Sequence, residues 1–112
     1  MNCSKRTAQL NDAFRQNPID KTGWNRFVFT RGVMNLPNEI IACALACMMN
    51  FDKFDKSNDP YQEHDFGSFE LQGHDFFWKF DYYAPTMDGG SEDPTDPVQT
   101  RRVLTLMLAE EY

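Results

Sequence analysis

The chain has 112 residues, 41% hydrophobic and 25% charged, which fits a single globular domain over residues 1–112 and excludes a disordered chain. Lys plus Arg number 11 and Asp plus Glu 17, a net charge of −6 that excludes generic nucleic-acid binding, since phosphate affinity is carried by basic surface. Aromatic residues make up 14%, ten of them Phe, enough bulk for a hydrophobic core.

The first expected element is a helix from Ser4 to Gln16, with Ser4 as its cap and Leu10 and Phe14 on one face. That apolar stripe is narrow and points to a peripheral surface helix, which Asn17-Pro18 ends. Asn25 to Thr30 reads as a strand with Phe27 and Phe29 on one side and Val28 and Thr30 on the other. Pro37 and Glu39 suit the first turn of a second helix, and Ile40 to Phe51 is apolar almost all round. Such a helix is expected to be buried on every side. Asn58-Asp59-Pro60 then marks a turn.

Next comes a hairpin. With Gln72-Gly73 as a two-residue loop, Leu71 pairs with His74, Phe69 with Phe76, Gly67 with Trp78 and Asp65 with Phe80. This register places Phe69, Leu71, Phe76, Trp78 and Phe80 on a core face, because a one-residue slip would scatter them. The other face then carries Phe66, Phe77, Lys79 and Asp81, with His64 opposite Asp81. Pro85 to Asp93 reads as a loop. A last helix is expected after it, capped by Asp96, with Pro97 at its first position and Leu104, Met107 and Leu108 as its buried stripe. The expected fold is α+β: elements in the order α-β-α-β-β-α, a small antiparallel sheet of about three strands, and helices packed on one face.

Charge is distributed unevenly. Residues 1–50 hold six basic against three acidic groups, and residues 51–112 hold five against fourteen. Eleven of the sixteen aromatic residues lie between Phe51 and Tyr83, so the acidic part of the chain is also its aromatic part. No apolar run reaches the roughly 18–20 residues of a membrane span. The polar start Met1-Asn2-Cys3-Ser4-Lys5-Arg6 carries no secretory pattern, and three cysteines make no disulfide framework. A cytoplasmic protein with reduced thiols and no cofactor is the expectation.

Three constellations carry chemistry. His64, Lys79 and Asp81 on the polar hairpin face are catalytic candidates, with Asp81 orienting the imidazole and Lys79 holding an anion. The alternative is an ordinary cross-strand ion pair on a solvated face. No nucleophile elbow, phosphate-binding glycine loop or paired metal motif accompanies them. Cys43 and Cys47, with His64 and His74, are the only zinc candidates; their helical spacing in an apolar helix favours buried thiols, and no metal is expected. The third constellation is the acidic aromatic surface, with Asp59, Tyr61, Glu63, Asp65, Tyr82, Tyr83, Asp88, Glu92 and Asp93 as binding candidates. A one-signed surface suits a basic protein or nucleoprotein complex as partner, or simply maintains solubility. A homodimer is a third reading, because Phe66 and Phe77 on the polar face call for cover.

The second half resembles a family of small bacterial proteins catalogued as domain of unknown function 3768. The matching stretches are Asn58-Asp59-Pro60-Tyr61, Glu63-His64-Asp65-Phe66-Gly67, Phe77-Trp78-Lys79, Asp81-Tyr82-Tyr83, Asp93-Pro94, Asp96-Pro97, Thr100 to Thr105 and Glu110-Glu111-Tyr112. Weaker matches cover Leu10-Asn11-Asp12 and Thr30-Arg31-Gly32-Val33. The resemblance brings no activity with it. It implies a setting on plasmids and other mobile elements, beside anti-restriction and other anti-defence genes. The resulting expectation is a non-enzymatic accessory factor that inhibits a host nucleic-acid-binding effector, such as a CRISPR or restriction complex. A small hydrolase using His64, Lys79 and Asp81 is the alternative.

Overall fold

The structure, a computed structural model, describes residues 3–112, so the first two residues of the expected domain lie outside it. Helix α1 (Cys3–Gln16) leads to strand β1 (Arg26–Phe29), a single helical turn α2 (Arg31–Met34) and helix α3 (Asn38–Met49). Strands β2 (Phe66–Leu71), β3 (His74–Tyr83) and β4 (Arg101–Leu108) follow, and a 3-10 turn over Ala109–Glu111 comes last. The strands form one sheet in the order β1-β4-β3-β2. The class is α+β with a small sheet under helices, and the sheet has four strands. It is mixed, because β1 runs parallel to β4 while the other two pairings are antiparallel.

The hairpin has the register its alternation dictates, Leu71 with His74, Phe69 with Phe76 and Gly67 with Trp78. Gln72 and Gly73 both have positive φ, 55° and 81°, as a two-residue loop of matching twist requires. One sheet face gathers Phe76, Trp78, Phe80, Leu104 and Leu106, all buried, with Phe27, Phe29 and Phe69 against them. Phe14 of α1 and Ala44 and Met48 of α3 close this core from above. Gly67 sits under the Trp78 indole: a Cβ there would lie 2.5 Å from the ring, so only glycine admits the tryptophan.

The expected last helix is a strand instead. Asp96 and its neighbours do make a turn, with Val98 N–H on the Asp96 carboxylate at 2.9 Å, but it ends at the buried Thr100. Beyond it Arg102, Leu104 and Leu106 are buried, alternating with half-exposed Val103 and Thr105. The period of two prevails because β4 finds partners on both sides, β1 and β3, which a helix could not satisfy.

Two helices also differ from expectation. α1 buries Thr7, Ala8, Asn11, Phe14 and Arg15, so it is an integral cover held by polar as well as apolar side chains. α3 buries only Ala44 and Met48 completely. Its outer side, Ala42, Cys43 and Ala46, is exposed and Cys47 half-buried, so the cysteines are not core thiols. Small side chains make this exposure cheap.

On the opposite sheet face Phe66 and Phe77 are half-buried, with the exposed Tyr112 of the same chain against them. The Tyr112 ring lies 6.0 Å from Phe66 and 5.6 Å from Phe77. The Glu111 carboxylate ties this segment back to β1 and α2, accepting hydrogen bonds from the Thr30 hydroxyl, Gly32 N–H and Leu108 N–H. Among the described residues no helix is long and apolar enough to cross a membrane.

Candidate functional site

A buried polar network links α1 to the sheet beneath the acidic half of the chain. Asn11, fully buried, uses its whole amide: Nδ2 donates to the Tyr82 hydroxyl at 2.7 Å and the Glu63 carbonyl at 3.0 Å, and Oδ1 accepts from Arg102 Nε at 2.9 Å. Arg102 stacks over the Tyr82 ring and donates to the Pro94 carbonyl. Burial pushes the Tyr82 hydroxyl well up, so it stays a neutral phenol in this network. Arg15, 1% exposed, donates to the carbonyls of Met48 at 2.9 Å and Phe51 at 3.0 Å, capping the end of α3. Its guanidinium also lies over Trp78 and pairs with Asp12 at 3.0 Å.

The loop between α3 and β2 is shaped by Asp59. Its buried carboxylate accepts N–H bonds from Glu63 at 3.0 Å and His64 at 3.1 Å. These bonds hold Gln62 and His64 in the left-handed region, at φ 58° and 55°. Such residues cost about 1–3 kcal/mol each unless their surroundings impose the conformation. The twist turns His64 toward the helix-covered side of the sheet. Its ring stacks on Phe54 at 3.8 Å and 3°, Nδ1 meets the Asp12 carboxylate at 3.0 Å, and Nε2 lies 3.6 Å from Asp59.

The structure therefore does not bring the catalytic candidates together. Lys79 and Asp81 form their own ion pair at 2.8 Å on the open sheet face. They alternate with Trp78 and Phe80, which point into the core where His64 reaches Phe54 and Asp12. The ladder ends where Phe80 N–H meets the Asp65 carbonyl, so His64 never comes opposite Asp81. Among the described residues no group of three His, Cys, Asp or Glu side chains is arranged to hold a metal.

The binding candidates fall into three settings. Asp59 is buried, Tyr82 is committed to Asn11, and Tyr83 pairs with Arg101 across the β3–β4 ladder. Glu63 and Asp65 are half-buried, and both carboxyls are pushed up, first by burial and then by nearby carboxylates including Asp59. Tyr61, 76% exposed, and Asp88, Glu92 and Asp93 stand in solvent. Asp93 is held below the usual carboxylate range by the Thr95 hydroxyl and N–H, so it also shapes its own turn.

The cations behave differently. Arg15 and Arg102 are buried, and Arg101 turns inward over Trp24 to the carbonyls of Trp24 and Gly23. The exposed Glu70 and Asp75 lie directly opposite each other in the hairpin, and no described cation pairs with either. In residues 51–112 the exposed carboxylates still outnumber the exposed cations, nine to two (Lys53 and Lys56). Sequence reasoning missed Asn11, Asp12 and Arg15. Their signal is the spacing of Thr7, Asn11 and Arg15, a polar stripe of helical period.

A family model described as a protein of unknown function, DUF3768, matches residues 29–111. The chain belongs to this family. The match runs from the end of β1 through the 3-10 turn, so it takes in the Asp59 loop, the hairpin and β4. It leaves out α1, which supplies Asn11, Asp12 and Arg15. Comparison with curated proteins and with solved structures gives no match.

Proposed function

We propose that the chain is a non-enzymatic, cytoplasmic accessory factor that binds a basic protein or nucleoprotein complex through its acidic aromatic surface. The observation that carries the reading is the inward placement of Arg15, Arg101 and Arg102 beside outward carboxylates such as Glu70, Asp75, Asp88 and Glu92. A surface of one sign steers a partner of the other sign and raises the rate of encounter. Tyr61, 76% exposed, is a rigid anchor of the kind interfaces favour. The setting implied by the family resemblance, a mobile genetic element, makes a host nucleic-acid-binding effector such as a CRISPR or restriction complex the proposed target. Inhibition would follow from occupying its basic nucleic-acid groove.

The hydrolase alternative has less support, because His64 is separated from the Lys79–Asp81 pair. A homodimer across the open sheet face has less support, because Tyr112 of the same chain packs on Phe66 and Phe77. The test is co-purification from a host lysate, with plasmid establishment scored in cells that express the protein. The reading expects basic partners released by moderate salt. It fails if joint charge reversal of Glu70, Asp75, Asp88 and Glu92 leaves both capture and establishment unchanged.

A further inference from the structure

β2 is an edge strand, and its outer rim is open. The hairpin register commits Gly67, Phe69 and Leu71 to β3, which turns the N–H and C=O groups of Phe66, Ser68 and Glu70 away from the sheet. Among the described residues, no hydrogen bond reaches the backbone of Ser68 or Glu70 from that side. Beside this rim lies an open, mainly apolar groove of about 450 Å³ between the end of α3 and β2. Cys47, Phe51 and Phe69 line it, and Asp52, Lys53 and Glu70 form its border.

We infer that the β2 rim and the Cys47–Phe51–Phe69 groove are a docking site for an extended segment of a basic protein, added to the sheet as a fifth strand. The inference rests on the acidic-surface reading above and names the part of that surface that makes contact. Strand geometry sets the pattern of the segment, because side chains of an added strand point alternately to the two sheet faces. On the helix-covered side they enter the groove, which takes apolar side chains. On the open side they meet Glu70, behind which Asp75 stands on β3, and no described cation pairs with either carboxylate. A lysine or arginine at alternate positions would relieve that like-charge pair. The segment therefore alternates basic and apolar residues. A second copy fits less well: pairing two β2 strands would put Glu70 and Asp75 of both copies on one face of a continuous sheet.

The chain carries its own reporter. Cys47 lines the groove, while Cys43, one turn earlier, is exposed on α3. The experiment uses the full chain with Cys3→Ser and a capped decapeptide of alternating Lys and Val. Bound peptide is expected to slow alkylation of Cys47 several-fold and leave Cys43 unchanged. Ser68→Pro removes an outward N–H without touching the ladder, and should weaken binding about tenfold, the loss of one or two main-chain hydrogen bonds. Glu70→Lys should weaken the Lys-Val peptide and favour a Glu-Val peptide; it carries the test if Ser68→Pro fails to fold. Equal protection of both cysteines, equal binding of the two peptides by the parent chain, or a concentration-dependent dimer abolished by Ser68→Pro overturns the inference. Salt-sensitive host capture that survives Glu70→Lys, with no peptide bound, sinks the edge site and leaves the acidic-surface reading standing. Peptide binding without any host capture does the reverse.

Discussion

His64 and Asp12 meet at 3.0 Å across fifty-two positions of sequence, joining the loop before β2 to the helix that opens the fold. The imidazole lies flat on Phe54 and faces a second carboxylate, Asp59, so it bridges α1 and the Asp59 loop above the core. A double-mutant cycle on His64→Ala and Asp12→Ala should give a coupling of about 1 kcal/mol in urea unfolding at pH 6. The same cycle on His64 and Lys79 should give no coupling, because the two share no partner. Removing the half-exposed Lys79–Asp81 pair alone should change stability by less than about 1 kcal/mol.

Arg15 is the most consequential polar side chain of the core. It joins the end of α3 to Asp12 and packs on Trp78, so Arg15→Ala leaves buried carbonyls without a donor. The expected loss is about 3 kcal/mol, read as a shift of the denaturation midpoint. Arg15→Lys should recover only part of it, because one ammonium cannot serve both Asp12 and the α3 carbonyls in the fork geometry of a guanidinium.

Glu63 gives a pH signature. Burial, Asp65 and Asp59 raise its carboxyl above the usual glutamate value. A group so raised contributes stability while protonated and loses it as pH climbs through the folded-state value. Glu63→Gln should therefore stabilise the fold at pH 7 and give no gain below about pH 4, where both states are protonated. Equilibrium unfolding at a series of pH values checks the sign. Asp65→Asn should behave in the same way, its carboxyl being raised mainly by burial.

Gly67 and Glu70, three apart on β2, should respond in opposite directions. Gly67→Ala drives a methyl into the Trp78 ring and should cost about 1–3 kcal/mol. Glu70→Lys removes a like-charge pair with Asp75 and should raise stability by up to about 1 kcal/mol. Thermal melts at low salt resolve both, and the second effect should shrink as salt is added.

The hairpin was legible because one signal, the alternation of Phe69, Leu71, Phe76, Trp78 and Phe80 about a two-residue loop, fixes turn and register together. β4 was not, because Asp96-Pro97 is a true turn signal that imitates a helix start, and a run of Leu and Met fits either period. Only the open sides of β1 and β3 decide it. His64 is misplaced by carrying the alternation one residue past the Asp65–Phe80 bond, to the point where Asp59 imposes positive φ. Composition overestimated the burial of α3, since an all-apolar helix with a small-residue side can lie at the surface. It underestimated α1, whose buried stripe includes Asn11 and Arg15. Charge segregation along the chain was legible from counting alone. The inward turn of the arginines, which sharpens that segregation, needed the fold.

The central claim is that the outward carboxylates, and not a catalytic cluster, are the working part of the molecule. Its most direct test compares the parent chain with a Glu70→Lys, Asp75→Lys, Asp88→Lys, Glu92→Lys variant, each immobilised in host lysate at low and high salt. Far-ultraviolet circular dichroism first establishes that both are folded. The account predicts basic proteins held by the parent at low salt, released as salt rises, and absent from the variant. Identical capture by the two chains, or no capture by the parent with unchanged plasmid establishment, would contradict it.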